Sequence, residues 1–106
     1  MRRRHGHTPR YPLDRIQQLT ATGRIRITNS AEQGAEMLYL LEGDIIECIC
    51  QLGDDDYEQT LESTQFPGTF QDVYKPRYMG RAIYLKLRLI GDHHVLLISF
   101  KQDTSR

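Results

Sequence analysis

The feature that most constrains the fold of this chain is the alternation of side chains at residues 82–90. Apolar side chains occupy every second position there, and a tyrosine, a lysine and an arginine stand between them, which is the period of a strand with one covered face. Gly91-Asp92 is a turn signal, and residues 95–100 form an apolar run typical of a strand covered on both sides. These residues therefore predict a β-hairpin whose leucine face packs on the rest of the protein.

The earlier part of the chain has helical spacing. Capping-box patterns, in which a residue that can cap a helix is followed three positions later by Glu or Gln, occur at Ser30 and at Asp55. Helices followed by a meander of three antiparallel strands indicate an α+β fold, with N-terminal helices packed on a C-terminal antiparallel sheet. The predicted elements are a helix between Pro12 and Gly23, a strand at 24–28, a helix from Ser30 to near Gly43, a helix over 45–52, a helix from Asp55 through Leu61, and a strand at 70–74.

The length of 106 residues predicts one domain over residues 1–106, with residues 1–10 as a flexible arm. No apolar run is long enough to span a bilayer, and no apolar stretch follows the basic start, so we expect neither membrane insertion nor secretion. Cys48 and Cys50 are too few for a disulfide framework and suit a reducing cytoplasm. We expect both to be buried core cysteines rather than metal ligands.

The net charge of zero conceals three segments of opposite sign. Residues 1–29 carry seven arginines and one acid, a net +6, residues 30–65 carry ten acids and no Lys or Arg, and residues 66–106 carry a net +4. The basic segments can meet phosphate, whereas the acidic segment must fold away from it. A solvated surface without any partner would show the same asymmetry.

The residues between the leucines of the hairpin are candidates for contact with RNA. Tyr84, Lys86 and Arg88 share one face, where an aromatic ring can stack on a base and cations can neutralise phosphate, although a merely solvated face has the same composition. A two-residue turn would place Tyr84 opposite Ser99, and a four-residue loop would place it opposite Lys101. Both registers put Tyr84 and Lys101 on the same face because side chains alternate with period two.

Three C-terminal segments carry a resemblance to a known family. They are Phe70-Gln71-Asp72-Val73-Tyr74-Lys75-Pro76-Arg77, Tyr84-Leu85-Lys86 and Ser99-Phe100-Lys101. In these motifs the chain resembles the motility quorum-sensing regulator (MqsR) toxins of type II toxin–antitoxin systems, strongly over residues 66–101 and more weakly over 7–65. The resemblance implies a fold similar to that of the RelE-type ribonucleases.

The resemblance also implies an activity and a set of site residues. The implied activity is cleavage of messenger RNA without a metal or cofactor, by attack of the ribose 2′-hydroxyl, giving a 2′,3′-cyclic phosphate and a 5′-hydroxyl. The implied partners are messenger RNA and a protein antitoxin. The implied catalytic residues are Gln71, Tyr84 and Lys101, and the family's remaining catalytic lysine falls on Gln59. The basic residues expected to bind RNA are Lys75, Arg77, Lys86 and Arg88.

Two other functions remain open at this point. Because Gln59 replaces a lysine, a module that binds RNA or antitoxin without cutting is the alternative to a nuclease, with Lys86 and Arg88 as the nearest substitutes by strand face. A structural protein that docks other proteins through its charged surfaces is a third possibility, and it would show no salt-dependent RNA binding. His93 and His94 stand at the predicted hairpin tip, where we expect a loop role rather than acid–base catalysis.

Overall fold

The computed structural model describes residues 8–104 of the chain, and within them three helices accompany a mixed sheet. A short 3₁₀ turn at Asp54–Asp56 precedes the second strand. The elements are α1 (Leu13–Ala21), β1 (Ile25–Ile27), α2 (Asn29–Glu36), α3 (Glu42–Cys50), β2 (Tyr57–Glu62), β3 (Phe70–Tyr74), β4 (Arg77–Tyr78), β5 (Arg81–Ile90) and β6 (His94–Gln102).

The strand order of the sheet is β1-β6-β5-β3-β2, and the two-residue strand β4 pairs with the start of β5. The predicted meander of three antiparallel strands is present as β3, β5 and β6. The sheet as a whole is mixed, because β1, which precedes the predicted meander, runs parallel to β6 at one edge. At the other edge, β2 adds an antiparallel strand. The α+β class is confirmed.

The leucine face of β5 forms the centre of the hydrophobic core. Its side chains Ile83, Leu85, Leu87 and Leu89 are buried. They belong to one cluster with residues of α1 and α3 that include Ile16, Leu19, Ile45 and Ile49. Burying apolar side chains of this size is the dominant favourable term in folding. The helices therefore cover one face of the sheet, as the alternation predicts.

The other face of the sheet is open. Tyr84, Lys86 and Arg88 on β5 are all partly exposed. The prediction that β6 is covered on both sides is wrong, because Leu96 and Ile98 are only half-buried. Because α1 and α3 pack against the opposite side, side chains on the open face remain accessible to a ligand.

The α2–α3 region differs from the predicted single helix up to Gly43. The hydroxyl of Thr28, not of Ser30, caps α2 by accepting the Ala31 N–H at 3.1 Å. Helix α2 ends at Glu36, and the new helix begins at Glu42, where the Asp44 carboxylate accepts the Leu41 N–H at 2.9 Å. The caps formed by Thr28 and Asp44 therefore start two separate helices, where the apolar spacing of the sequence predicts one helix up to Gly43.

The predicted helix from Asp55 through Leu61 is wrong. The Asp56 carboxylate does accept the Gly53 N–H at 2.8 Å, but the turn that it caps extends only to Asp56. Residues 57–62 continue as β2 because they pair with β3, for example Leu61 with Gln71. Tertiary pairing therefore overrides a helix-start signal in the local sequence.

The predicted flexible arm at residues 1–10 falls mainly on residues 1–7, which lie outside the described part of the chain. The end of that segment is anchored rather than flexible, because the Arg10 N–H donates to the buried Asp72 carboxylate at 3.0 Å. Between Thr8 and Thr104, no helix combines the length and the apolar content needed to cross a membrane.

Candidate active site

The register of the β5–β6 hairpin decides what faces Tyr84. The turn comprises residues 91–93, with Ile90 paired to His94, so the turn is neither the two-residue nor the four-residue form considered from the sequence. A β-bulge on β6, opposite Lys86, then shifts the pairing by one residue. Tyr84 consequently pairs with Lys101, which confirms that these residues lie opposite each other. Without the bulge, Tyr84 would lie opposite the buried Phe100.

Tyr84 and Lys101 are in direct contact. The Lys101 Nζ lies 5.2 Å from the centroid of the Tyr84 ring, within the range of a cation–π interaction. Partial burial raises the pKa of the Tyr84 phenol above its ordinary value of 10.0, and the negative charge of Asp103 raises this pKa further. The phenol therefore keeps its proton at neutral pH and is available as a hydrogen-bond or proton donor.

Lys75 lies on the other side of Tyr84. The Ile83 N–H donates to the Pro76 carbonyl at 2.9 Å, which continues the β3–β5 ladder beyond Tyr74 and Leu85, its last assigned pair. In this register Lys75 and Tyr84 are opposite each other, on the face where strand alternation also puts Lys101. Tyr84 is therefore flanked by one lysine on each neighbouring strand.

Gln59 and Lys86 belong to the next row of the open face. Val73 pairs with Gln59 on β2 and with Lys86 on β5, so all three lie side by side. The Cα atoms of Gln59 and Lys86 are then about 10 Å apart, or two strand spacings. Lys86 is two residues from Tyr84 on the same strand face. Lys86 therefore provides a cation near residue 59, the position at which the family resemblance predicts a lysine and this chain has a glutamine.

Gln71 is on the open face but not beside Tyr84. It pairs with Leu61 on β2 and is four residues from Lys75 along β3. At the strand rise, this separation puts Gln71 about 13 Å along the sheet from the row that contains Tyr84. The two residues can act on one extended ligand but not on the same atom without a rearrangement.

The two arginines predicted to bind RNA lie at opposite ends of the sheet. Arg88 is near the far end of β5, where its guanidinium donates to the Leu89 carbonyl at 3.1 Å. Arg77 is exposed on β4 and donates to the Gly80 carbonyl at 2.9 Å. Arg77 pairs with Ala82, two residues before Tyr84 on β5, and Arg88 is four residues after Tyr84, so the two arginines lie on either side of Tyr84 along the strand.

Asp72 is an important residue whose role the sequence did not reveal. Its carboxylate is fully buried and accepts the N–H groups of Arg10 and Tyr11, each at 3.0 Å, and the Thr60 hydroxyl at 2.6 Å. It thereby ties the N-terminal segment and β2 to β3, next to Gln71. The available signal was an acidic residue inside a buried strand, which requires hydrogen-bond partners.

A cavity of about 550 Å³ adjoins the Tyr84–Lys101 pair. It lies between α2 and the end of β6, and Lys101 is part of its wall. The sequence does not predict this cavity, because its position depends on how closely α2 approaches β6. An ideal Cβ added to Gly34 would come within 1.9 Å of the Phe100 carbonyl oxygen, so glycine permits this approach.

Neither the histidines nor the cysteines give reason to place the chemistry elsewhere. His93 is in the hairpin turn, as predicted, whereas His94 is the first residue of β6 and pairs with Ile90; their Nδ1 atoms are 2.9 Å apart. Burial raises the pKa of the Cys48 thiol to about 12, which fits an inert core cysteine. The same prediction for Cys50 is wrong, because it is exposed. Within residues 8–104, no group of three or more His, Cys, Asp and Glu side chains is placed to hold a metal ion.

An open sheet face that presents a tyrosine among lysines belongs to a class of surface that can stack bases and neutralise phosphates. Comparison with known proteins identifies the family more closely. Residues 8–102 match the family model described as motility quorum-sensing regulator, toxin of MqsA. The mRNA interferase toxin MqsR of Escherichia coli (strain K12) is 33% identical over 95 residues, which cover 90% of this chain and 95% of the relative. The chain belongs to the motility quorum-sensing regulator toxin family.

Proposed function

We propose that this protein is the toxin of a type II toxin–antitoxin system and acts as an endoribonuclease on messenger RNA. The proposal rests on family membership and on the printed name of the Escherichia coli relative, an mRNA interferase. The observation that carries it is the pairing of Tyr84 with Lys101 on the open sheet face. Messenger RNA as the substrate puts its site of action in the cytoplasm.

The proposed reaction needs no group from outside the protein and its substrate. The ribose 2′-oxygen attacks the adjacent phosphorus while the bond to the 5′-oxygen breaks, which leaves a 2′,3′-cyclic phosphate and a 5′-hydroxyl. The proton of the 2′-hydroxyl passes to solvent water, and one proton is added to the departing 5′-oxygen. Negative charge accumulates on the phosphoryl oxygens in the transition state, where a fixed cation lowers the barrier most.

Tyr84 and Lys101 are assigned complementary parts of this reaction. Lys101 Nζ neutralises the phosphoryl oxygens. Tyr84 donates its proton to the leaving oxygen or orients the phosphate by a hydrogen bond, since its raised pKa favours the protonated phenol. Lys75, on the other side of Tyr84, holds a neighbouring phosphate.

Lys86 takes over the charge that the family's other lysine supplies. Gln59 has no charge, and its amide can bind a phosphate only through neutral hydrogen bonds, which are weaker than those of an ammonium group. Lys86 shares the row of Gln59 and lies two residues from Tyr84. Arg88 suits this role less well because its guanidinium already donates to the Leu89 carbonyl.

The remaining predicted residues guide the RNA across the sheet. Gln71 binds a base or phosphate about 13 Å along the strands from Tyr84, as estimated from the strand rise. Arg77 and Arg88 hold phosphates at the two ends of this track. The contacts of these arginines with RNA phosphates are electrostatic, so they weaken as the salt concentration rises.

A cognate antitoxin is the proposed protein partner, in line with the family description. Glu42, Asp44 and Glu47 belong to α3, which packs on the leucine face of β5 and therefore lies on the side of the sheet away from Tyr84. That surface repels RNA but suits a partner with basic residues. Antitoxin bound there can block the nuclease only if part of it also reaches the open face.

The first test of the proposed function is cleavage of a defined messenger RNA in the presence of a chelator, with the cut ends mapped by primer extension. We expect discrete cuts with cyclic-phosphate ends that are lost in Lys101→Ala and Tyr84→Phe. Both positions are partly or fully exposed, so neither variant is expected to unfold. Absence of cuts by folded wild-type protein would refute the nuclease and favour a module that binds RNA without cutting.

A further inference from the structure

The hairpin end of the open sheet face carries two arginines that have no role in the function described so far. Arg24 stands just before β1 and Arg26 lies within it, and both side chains are exposed. The neighbours of Arg26 along the strand, Ile25 and Ile27, pack against the hydrophobic core. Because side chains alternate along a strand, Arg26 points away from the core and onto the open face.

Arg26 belongs to the same row of the open face as Arg88. Leu96 on β6 pairs with Arg26 on β1 and with Arg88 on β5, so the two arginines flank one half-buried leucine. Their Cα atoms are about 10 Å apart, or two strand spacings. An arginine side chain is long enough to bring its guanidinium over the central strand, so both guanidinium groups can contact a single group above Leu96.

This end of the open face carries positive charge that no carboxylate neutralises. Within residues 8–104, the guanidinium groups of Arg24, Arg26 and Arg88 have no carboxylate as an ion-pair partner. Asp92 at the hairpin turn is already paired with Arg15, at 3.5 Å. The three arginines Arg24, Arg26 and Arg88, here called the arginine patch, therefore attract an anion from solvent.

The electrostatic effect of the arginine patch reaches His94, which pairs with Ile90 at the start of β6. Desolvation lowers the pKa of the His94 imidazole below its ordinary value of 6.5, and the positive charges of Arg26 and Arg24 lower this pKa further. The imidazole is therefore neutral at pH 7, and the charge at this end of the sheet comes from the arginines.

The arginine patch continues a line of cations that begins at the Tyr84–Lys101 pair. Along β5, the open face presents Tyr84, Lys86 and Arg88 at every second residue. Alternate residues of a strand are about 6.6 Å apart, which is close to the distance between successive phosphates of an extended RNA strand. RNA that lies along β5 therefore meets one cation for each phosphate between Lys101 and the arginine patch.

We propose that Arg26 and Arg88 together hold the second phosphate beyond the cleaved one, above Leu96, and that the RNA strand continues from there towards Arg24. This inference rests on the proposed ribonuclease function and adds to it the path of the RNA on the sheet. Guanidinium groups suit this position because their paired N–H donors match two phosphate oxygens. Arg88 donates to the Leu89 carbonyl through one nitrogen and keeps its other donors for the phosphate.

An acidic segment of a partner protein is the competing occupant of the arginine patch, because it also carries negative charge. The patch lies on the same face and the same two strands as Tyr84 and Lys101, so a single chain of phosphates occupies both places at once. A partner protein that used the patch alone would leave the affinity for RNA independent of Arg26.

The experiment measures the Kd of RNA that cannot be cleaved, by fluorescence anisotropy at a fixed salt concentration. The probes are 2′-O-methyl octanucleotides in which one phosphate after another is replaced by an uncharged methylphosphonate. In wild-type protein, we expect this replacement at the phosphate held by the patch to weaken binding about tenfold, the effect of a hydrogen bond to a charged group. In Arg26→Gln, this ratio should fall to about twofold or less, and the ratios at the other phosphates should remain unchanged.

Two further variants locate this phosphate. Arg88→Gln should abolish the loss at the same phosphate as Arg26→Gln, and Lys101→Ala should abolish the loss at a phosphate two nucleotides away. Arg77→Gln is the matched control, because it removes the same charge from an exposed arginine at the other end of β5. Whatever its effect on overall affinity, it should retain a ratio of about tenfold at the phosphate held by the patch.

Three results would overturn the inference, once circular dichroism has established that each variant is folded. The first is that no phosphate depends on Arg26, or that Arg77→Gln abolishes the same loss. The second is that Arg26 and Arg88 act on different phosphates. The third is that the phosphate that depends on Lys101 is not two nucleotides away from the one that depends on Arg26.

The same sequences with free 2′-hydroxyls separate this inference from the proposed function. Cleavage of these RNAs, without any phosphate whose contribution depends on Arg26, would leave the nuclease intact and refute the phosphate site. A phosphate contact that depends on Arg26 and Arg88, without any cleavage by folded protein, would support the phosphate site and refute the nuclease.

Discussion

Replacing Asp72 tests how the N-terminal segment is held beside the candidate active site. In Asp72→Ala, the N–H groups of Arg10 and Tyr11 and the hydroxyl of Thr60 all lose their acceptor. Hydrogen bonds to charged groups each contribute about 1.5–3 kcal/mol. Three at the lower bound give about 4.5 kcal/mol, and water that reaches the exposed Arg10 reduces the expected loss to about 3–4 kcal/mol.

Urea denaturation of purified protein measures this loss directly. For an m-value of about 1.3 kcal/mol/M, the midpoint should fall by about 2.5–3 M. Asp72→Asn keeps one acceptor oxygen and should lose about half as much, and Thr60→Val, which removes one donor, should lose about 1–2 kcal/mol. A loss below about 1 kcal/mol in Asp72→Ala would refute the inference that this carboxylate anchors the segment.

Three further predictions follow from the same structure. In Gly34→Ala, the helix must move by more than about 1 Å to clear the Phe100 carbonyl. Thermal unfolding should therefore show that the free energy of unfolding falls by up to about 2 kcal/mol, and RNA cleavage should slow. Unchanged stability and an unchanged cleavage rate would contradict this prediction. Gln59→Lys should raise single-turnover cleavage about tenfold by restoring a cation, whereas Gln65→Lys, an equal charge change in an exposed turn, should not. Because the pKa of the Tyr84 phenol in the folded protein is raised above 10.0, the protonated phenol persists through pH 10. Cleavage should therefore decline only above that pH. A decline in cleavage between pH 8 and 9 that is absent in Tyr84→Phe would contradict this prediction.

Elements whose identity depends on local pattern were predictable from the sequence. Helix α1 has apolar residues at three-residue spacing between Pro12 and Gly23, and β5 has strict alternation. For β2, the capping-box spacing of Asp55 and Glu58 predicts a helix, whereas its strand conformation comes from pairing with β3, which no local signal encodes. The parallel pairing of β1 with β6 is likewise a long-range event.

The candidate site was predictable only in part, for the same reason. Strand parity was enough to put Tyr84 and Lys101 on one face, although the bulge that makes them direct partners was not visible in the sequence. The partners of Asp72 come from segments about 60 residues earlier and 12 residues earlier, which spacing cannot bring together. The cavity beside Lys101 depends on the close approach of α2 through Gly34.

The most direct test of the central claim is a double-mutant cycle on Tyr84 and Lys101. Single-turnover cleavage rates of one RNA would be compared for wild type, Tyr84→Phe, Lys101→Ala and the double variant, with circular dichroism to establish that each is folded. If both residues act on one phosphate, each single change should slow cleavage by about 100-fold or more, and the double variant should be little slower than the worse single variant. Losses that multiply, or rates close to wild type in either single variant, would contradict the assignment of this pair as the reaction centre.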